Sequence, residues 1–293
     1  TTTQWVHTHS FADAGDGATT VTDDIDTRVP RFLLEKAVAY RQHQLTQDIA
    51  FENRLREGQL GHKPLTIAMT GSHGSVGSAL TAQLQTLGHT VIQLVRGTAQ
   101  SGQREWRPHH PRPDLLEGVD VLVHLAGEPI FGRFNDSHKS DIRDSRVGPT
   151  ENLARLVAAT DSVQAMVCAS AIGLYGSERG DELLTEDAER GEGFLADVAV
   201  DWEKACDPAR EAGKRVVNIR TGIVMSGNSG LLPLLRALFS TGLGGAFGDG
   251  NFWYSWVALD DLTDAYIRAI VDEKLAGPVN GASPSPVLNK EFV

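Results

Sequence analysis

The sequence predicts an α/β fold, a doubly wound parallel sheet, preceded by a β-hairpin and one long helix. Three observations carry this prediction. From Leu65 onward, short apolar runs alternate with helical stretches of about ten residues or more, the pattern of a parallel sheet covered on both faces. The loop "TGSHGSVG" (residues 70–77) joins the first of these strands to the first helix with three spaced glycines. Residues 1–60 differ in texture, with one alternating stretch followed by one helical stretch.

Each element follows in order. "WVHTHSFADAGDGATTVTDDIDT" alternates and turns at "DAGDG", as a hairpin does. After Pro30, the residues Leu34, Val38, Leu45, Ile49 and Leu55 form an apolar stripe at helical spacing, stopped by Gly58 and Gly61. Two strands and one helix make too small a core to stand alone. "LTIAM" is then a strand and "SALTAQLQTLG" a helix stopped by Gly88. "TVIQLV" is a strand, "REW" a short one, and "VDVLVHLA" another. "DIRDSRVGPTENLARLVAAT" reads as mostly helix, "QAMVCAS" as a strand, and "FLADVAVDWEKACDPAREAG" as a helix. "RVVNIRTGIVM" reads as a strand.

Composition excludes several classes. Asp and Glu number 38 against 27 Lys and Arg, a net charge of −11, the opposite of a nucleic-acid binder. No apolar run approaches a membrane span, and "TTTQWVHTHS" has no signal-peptide pattern. Cys168 and Cys206 have neither metal nor redox spacing and read as buried, reduced thiols of a cytoplasmic protein. No metal site is expected. His109 and His110 lie in the proline-broken "RPHHPRP" and point apart, whereas His7 and His9 share a strand face with no third ligand visible nearby.

The glycine loop has the strand–loop–helix context of a dinucleotide cradle. Its glycines permit a tight turn and close backbone approach to pyrophosphate, and the helix start supplies free N–H groups. No Lys-Ser or Lys-Thr follows Gly77, which excludes a P-loop. The second strand ends in Arg96, where NAD binders carry an acid for the ribose 2′-hydroxyl. A guanidinium there suits a 2′-phosphate, so the expected cofactor is NADP.

The spacing Gly71-x-x-Gly74-x-x-Gly77 resembles that of extended short-chain dehydrogenase/reductases. "VDVLVHLAGEPI" resembles their fourth strand, "SAIGLYG" (170–176) their fifth, and "GDGNFWYSWVALDDLTDAYIRAI" a later segment. With "IRDSRV", "FLADVAVDWE" and "GLGGAFGDG", residues 63–293 are similar to the SulA-like nucleoside-diphosphate-sugar epimerase family. The resemblance implies a Rossmann domain with a small substrate-side subdomain, mainly 172–194 and 222–258. Residues 1–60 resemble the closing strands and C-terminal helix of a START-like (SRPBCC) domain. On that reading, the chain is cut inside this domain and short of the family's C-terminal segment.

The resemblance implies cofactor contacts from Gly71, Ser72, Gly74, Ser75, Val76, Gly77 and Arg96, with Leu125, Ala126, Gly127 and Arg146 lining the site. The class moves protons with a Tyr-x-x-x-Lys pair, a Ser or Thr, and often an Asn. Those positions fall here on Leu195, Ala199, Ala171 and Arg146. Leucine and alanine cannot exchange protons. Arg146, Ser170, Tyr175, Asp197 and Glu128 are the remaining candidates at the crevice, each with a structural alternative: Tyr175 suits packing and a structural hydrogen bond, and Asp197 a solvated place near a helix start. Phe252, Trp253, Tyr254 and Trp256, set beside glycines, suit stacking on a flat ring or a packed core. Three functions stay open: an NADP-dependent epimerase or reductase acting on a small molecule such as a nucleotide sugar, an NADP-binding sensor without turnover, and a START-like module for an apolar ligand with a Rossmann partner.

Overall fold

A computed structural model describes residues 5–58, 60, 63–227, 229–242 and 244–293, in two units, Thr1–Gly58 and Gln59–Val293. Gly61, part of the expected helix stop, lies outside the described residues, as do Asn228 and Leu243 of the expected substrate side.

In the first unit, β1 (Trp5–Gly15) and β2 (Ala18–Thr27) form an antiparallel hairpin. Asp16 and Gly17 make the reversal with φ of 52° and 75°, the left-handed pair that matches a two-residue loop to strand twist. Helix α1 (Arg31–Glu57) starts after Pro30 and is capped by Gly58. Of its apolar stripe Leu55 is buried, while Leu45 and Ile49 are exposed. Trp5, Phe11, Phe32, Leu33 and Tyr40 are exposed too, so hairpin and helix do not seal a core between them.

The second unit runs β3 (Thr66–Thr70), α2 (Ser75–Thr86), β4 (Thr90–Val95), β5 (Gln103–Glu105), β6 (Val121–His124), α3 (Asp136–Asp144), α4 (Val147–Ala159), β7 (Ala165–Ala171), α5 (Phe194–Lys204), α6 (Asp207–Glu211) and β8 (Arg215–Thr221). It continues through β9 (Ile223–Ser226), β10 (Ser229–Gly230), α7 (Leu231–Ser240), β11 (Trp253–Tyr254), β12 (Trp256–Ala258), α8 (Leu259–Val271), β13 (Gly277–Gly281), β14 (Val287–Leu288) and α9 (Asn289–Phe292). Seven strands form one parallel sheet in the order β13-β8-β7-β6-β3-β4-β5. The strands are apolar because helices cover both faces: Ile67, Met69, Leu122, Met166 and Ile219 are fully buried. Strand order reverses between β3 and β6, which opens a crevice at their C-terminal ends. The fold class is therefore the one the sequence predicts.

Three stretches expected to be continuous are divided. The first helical stretch breaks at Ser145 and Arg146 into α3 and α4, with Arg146 as the N-cap of α4. The second breaks at Ala205 and Cys206 into α5 and α6. Pro208 lacks an N–H, and its ring would meet the carbonyl of Lys204 in an unbroken helix. The last strand splits at Gly222 into β8, in the main sheet, and β9, which pairs with β10 and β12. A side chain at Gly222 would place its Cβ 2.6 Å from the Ser255 carbonyl oxygen, so glycine permits the change of partner. Cys168 and Cys206 are buried and free, and His109 and His110 are exposed. Among the described residues, no helix is long and apolar enough to cross a membrane.

Candidate functional site

The crevice begins at the glycine loop, and its three glycines are required for different reasons. Gly71 has φ of 69°, and a Cβ there would come within 2.8 Å of the Leu125 carbonyl carbon. A Cβ on Gly77 would lie 2.3 Å from the Gly71 oxygen and 2.8 Å from Ser72 Cα, so the helix presses directly on the loop. Gly74 is less constrained: it caps α2 with extended backbone, and its Cβ would meet only the Gly71 oxygen at 3.3 Å. No side chain closes the helix start at Ser75, Val76 and Gly77, and no acidic residue opposes an anion there. Ser72 Oγ is buried and has no hydrogen-bond partner. An unmet buried hydroxyl beside an uncapped helix start fits a phosphate acceptor.

The loop is tied to the adjoining strand by Thr70. Its Oγ1 accepts from the N–H groups of Leu125 (3.1 Å) and Ala126 (3.3 Å) and lies 2.6 Å from His124 Nδ1. With both acceptances made, the Thr70 proton points to Nδ1, which leaves the imidazole proton on Nε2. Burial, and then the nearby Arg146 charge, push the His124 pKa down to about 3. Below pH 6.5 an unfolded His124 takes up a proton that the folded one refuses, so stability falls as pH drops from 6.5 toward about 3. The expected loss by pH 5 is about 2 kcal/mol. Urea unfolding of wild type and His124→Asn, followed at pH 7 and 5, checks it. Asparagine keeps an acceptor for Thr70, and the variant should lose this part of the pH slope.

Arg96 follows β4 and is exposed. It has no ion pair or hydrogen bond among the described residues. It lines an open depression of about 810 Å³ with Arg104 and Arg112. Arg104 is bound to the carbonyls of Leu115 and Glu117, and Arg112 is paired with Asp114, which leaves Arg96 as the uncommitted cation.

Arg146, at the position expected for the asparagine of the class, is the N-cap of α4. It is buried, it donates to the Ile142 carbonyl (3.0 Å) and Ser145 Oγ (3.3 Å), and its guanidinium lies 5.1 Å over the Trp202 ring. A Cβ on Gly127 would lie 3.0 Å from Arg146 Cζ, so glycine leaves room for this cation under the crevice floor. Burial lowers its pKa, and the Glu128 charge acts in the opposite direction. Glu128 itself is exposed, and its N–H donates to Ser145 Oγ.

The other catalytic candidates have other engagements. Ser170 Oγ donates to Glu203 at 2.7 Å. Arg220 grips the same carboxylate at 2.9 and 3.0 Å and donates to Tyr175 Oη at 3.0 Å, and Tyr175 donates to Asn280 at 2.7 Å. Burial opposes the Arg220 charge, but Glu203 and Tyr175 more than offset it and raise its pKa above the usual guanidinium value. Ser170 and Tyr175 thus share one ion-pair network. Asp197 stands apart from it and pairs with Arg190 in an exposed contact. Leu195 lies beside Gly173, just beyond β7, and Ala199 is buried against Leu174 and Tyr175. Neither of these two side chains, at the positions expected for the Tyr–Lys pair, can transfer a proton.

On the expected substrate side, Trp253 Nε1 donates to Asp181 and Trp256 Nε1 to the Ser285 carbonyl. Tyr254 is buried between Phe252 and Phe292. Phe252 and Trp253 keep exposed ring surface. Trp202 is core, with its indole N–H on Thr150. Sequence reasoning passed over Phe131 and Phe134, exposed aromatics a few residues beyond Gly127. Their closeness to "HLAG" was the available signal.

Comparison with known proteins agrees with this architecture. Residues 67–280 match the NAD dependent epimerase/dehydratase family. Epimerase family protein Mb2239 of Mycobacterium bovis is 43% identical over 230 residues, covering 77% of this chain and 76% of the relative. The crystal structure of the nucleoside-diphosphate sugar epimerase from Corynebacterium glutamicum is 55% identical, with a TM-score of 0.90 over 98% of this chain. The match spans 61% of that longer chain. Human epimerase family protein SDR39U1 (isoform2), solved with NADPH, is 26% identical, with a TM-score of 0.69 over 78% of this chain and 77% of its own. A glycine cradle at the switch point of a seven-stranded parallel sheet, together with these matches, places the chain in the NAD-dependent epimerase/dehydratase family.

Proposed function

We propose that residues 63–293 bind NADP in the crevice and act on a small molecule of the nucleotide-sugar class, as a SulA-like branch of the family. The observation that carries this reading is the cradle itself: two glycines that packing will not allow to change, and the unmet Ser72 hydroxyl beside them. Gly71, Ser72, Gly74, Ser75, Val76 and Gly77 would hold the pyrophosphate, Arg96 the 2′-phosphate, and Leu125, Ala126, Gly127 and Arg146 the nicotinamide half. When bound, the cofactor supplies hydride chemistry. The chain supplies orientation, a buried cation at Arg146 beneath Gly127, and an apolar wall at Leu195. NADPH in the human relative supports the cofactor choice. Residues 1–60 are proposed to be part of a START-like domain, on the strength of an antiparallel hairpin followed by a 27-residue helix with exposed apolar side chains. Two free, buried cysteines suit a cytoplasmic location.

A second reading, an NADP sensor without turnover, is favoured by one observation. Ser170, Tyr175 and Asp197 are already engaged, and Leu195 and Ala199 cannot move protons. Purified protein with NADPH, carbonyls and nucleotide sugars decides between them. Cofactor oxidation or sugar epimerisation supports turnover, and tight NADPH binding with neither supports the sensor. Titration with both cofactors should show NADPH binding tighter than NADH. Arg96→Ala should weaken NADPH by about 10- to 100-fold and leave NADH unchanged. Equal affinities in the wild type would remove the NADP assignment.

A further inference from the structure

The two histidines for which the sequence offered no third ligand have one across the hairpin. The register places Asp23 directly opposite His9, and His7 lies two residues away on the same face. His9 Nδ1 and His7 Nε2 approach Asp23 Oδ1 to 2.7 and 3.1 Å, and the three ligand atoms all lie within 4.8 Å of one another. Bonds of about 2.0–2.1 Å to a tetrahedral Zn²⁺ put ligand atoms about 3.3 Å apart, close to these separations. Two imidazole nitrogens and one carboxylate oxygen also form a donor set that suits zinc and its first-row neighbours.

A cation already occupies this focus. Arg41, from α1, places Nη1 2.7 Å from Asp23 Oδ1 and 3.3 Å from His7 Nε2, and its Nη2 is 3.5 Å from His9 Nδ1. That arrangement crowds three nitrogens onto one carboxylate oxygen. Each facing imidazole nitrogen either donates to Asp23 or accepts from Arg41, never both. A divalent ion would take a lone pair from all three groups at once. The Asp23 side chain is 8% exposed, which fixes one ligand, while those of His9 (39%) and Arg41 (49%) leave an entry path and let the guanidinium swing into solvent.

We propose that His7, His9 and Asp23 form a site for a divalent transition-metal ion of the zinc type, with Arg41 as a displaceable stand-in. Metal binding releases the guanidinium to water with its proton retained and leaves the remaining coordination positions to solvent. The site lies in the first unit and is independent of the cofactor reading.

Co²⁺ titration of the 293-residue chain, made without a histidine tag, tests this, with visible ligand-field absorption as the readout and Zn²⁺ as competitor. The wild type should bind one Co²⁺ that Zn²⁺ displaces. Arg41→Ala should bind about tenfold more tightly, because it removes the competing charge. Adding His9→Ala to Arg41→Ala should abolish the absorption. Circular dichroism of each variant, unchanged from wild type, keeps misfolding out of the comparison. Failure of Arg41→Ala to bind Co²⁺, or binding that survives the added His9→Ala, would overturn the proposal and leave an ordinary ion-pair cluster.

Discussion

Gly77→Ala is expected to abolish NADPH binding. The new methyl would sit 2.3 Å from a backbone oxygen and 2.8 Å from a backbone α-carbon, neither of which can rotate away as a side chain would. Relief requires α2 to move off the loop, which re-aims the N–H groups of its first turn and displaces the buried Ser72. Overpacking of this kind costs about 1–3 kcal/mol or more in stability. The loss in cofactor affinity should be larger, on the order of 1,000-fold or more (about 4 kcal/mol), which takes binding out of the measurable range, because the cradle is held by position alone. Gly74→Ala is the matched control. Its methyl meets one atom at 3.3 Å on backbone that any residue adopts, so the fold should survive with a much smaller stability change. Fluorescence titration with NADPH and thermal unfolding of both variants checks the contrast. Wild-type affinity in Gly77→Ala would mean that the loop is not the cofactor's seat.

Glu203→Ala should strongly destabilise the interior. It strips two hydrogen bonds from the Arg220 guanidinium and one from Ser170, and leaves a nearly buried charge paired only with Tyr175 and the Glu186 carbonyl. Removing one partner of a buried pair costs about 3–5 kcal/mol, chiefly because of the charge left behind. For a chain of this size that corresponds to a fall in Tm of about 10 °C. The double variant Glu203→Leu/Arg220→Met should recover part of the loss, since it removes both charges. Trp202 lies beside Glu203 on α5, so its fluorescence in urea unfolding reports the change. A loss below about 1 kcal/mol would show that solvent screens the pair.

These two predictions mark how far the sequence could be read. The strand–loop–helix at Gly71–Gly77 was visible because the constraint is local: tight turn, close packing and helix start lie within eight residues. The end of β4 just before Arg96 was visible for the same local reason. The breaks at Arg146, Ala205–Cys206 and Gly222 were not visible, since apolar spacing runs through each. The partners that engage Ser170 and Tyr175 were not visible, because nothing near either residue in sequence supplies them. Their partners, Glu203, Arg220 and Asn280, lie 33, 45 and 105 residues away. Asp23 escaped notice beside His9 for the same reason: only hairpin register brings them together.

The break at Gly222 has a consequence for how the two halves of the crevice communicate. The small sheet of β9, β10 and β12 is joined to β8 through that single residue. At its other end β12 runs straight into α8, whose Asp264 accepts a hydrogen bond from Gln83 of α2, the helix that starts at the cradle. This small layer is tied at one end to the central sheet and at the other, through α8, to the helix that follows the glycine loop. The path from the small sheet to the helix that opens the crevice therefore runs through α8 and the Gln83–Asp264 hydrogen bond rather than across the gap.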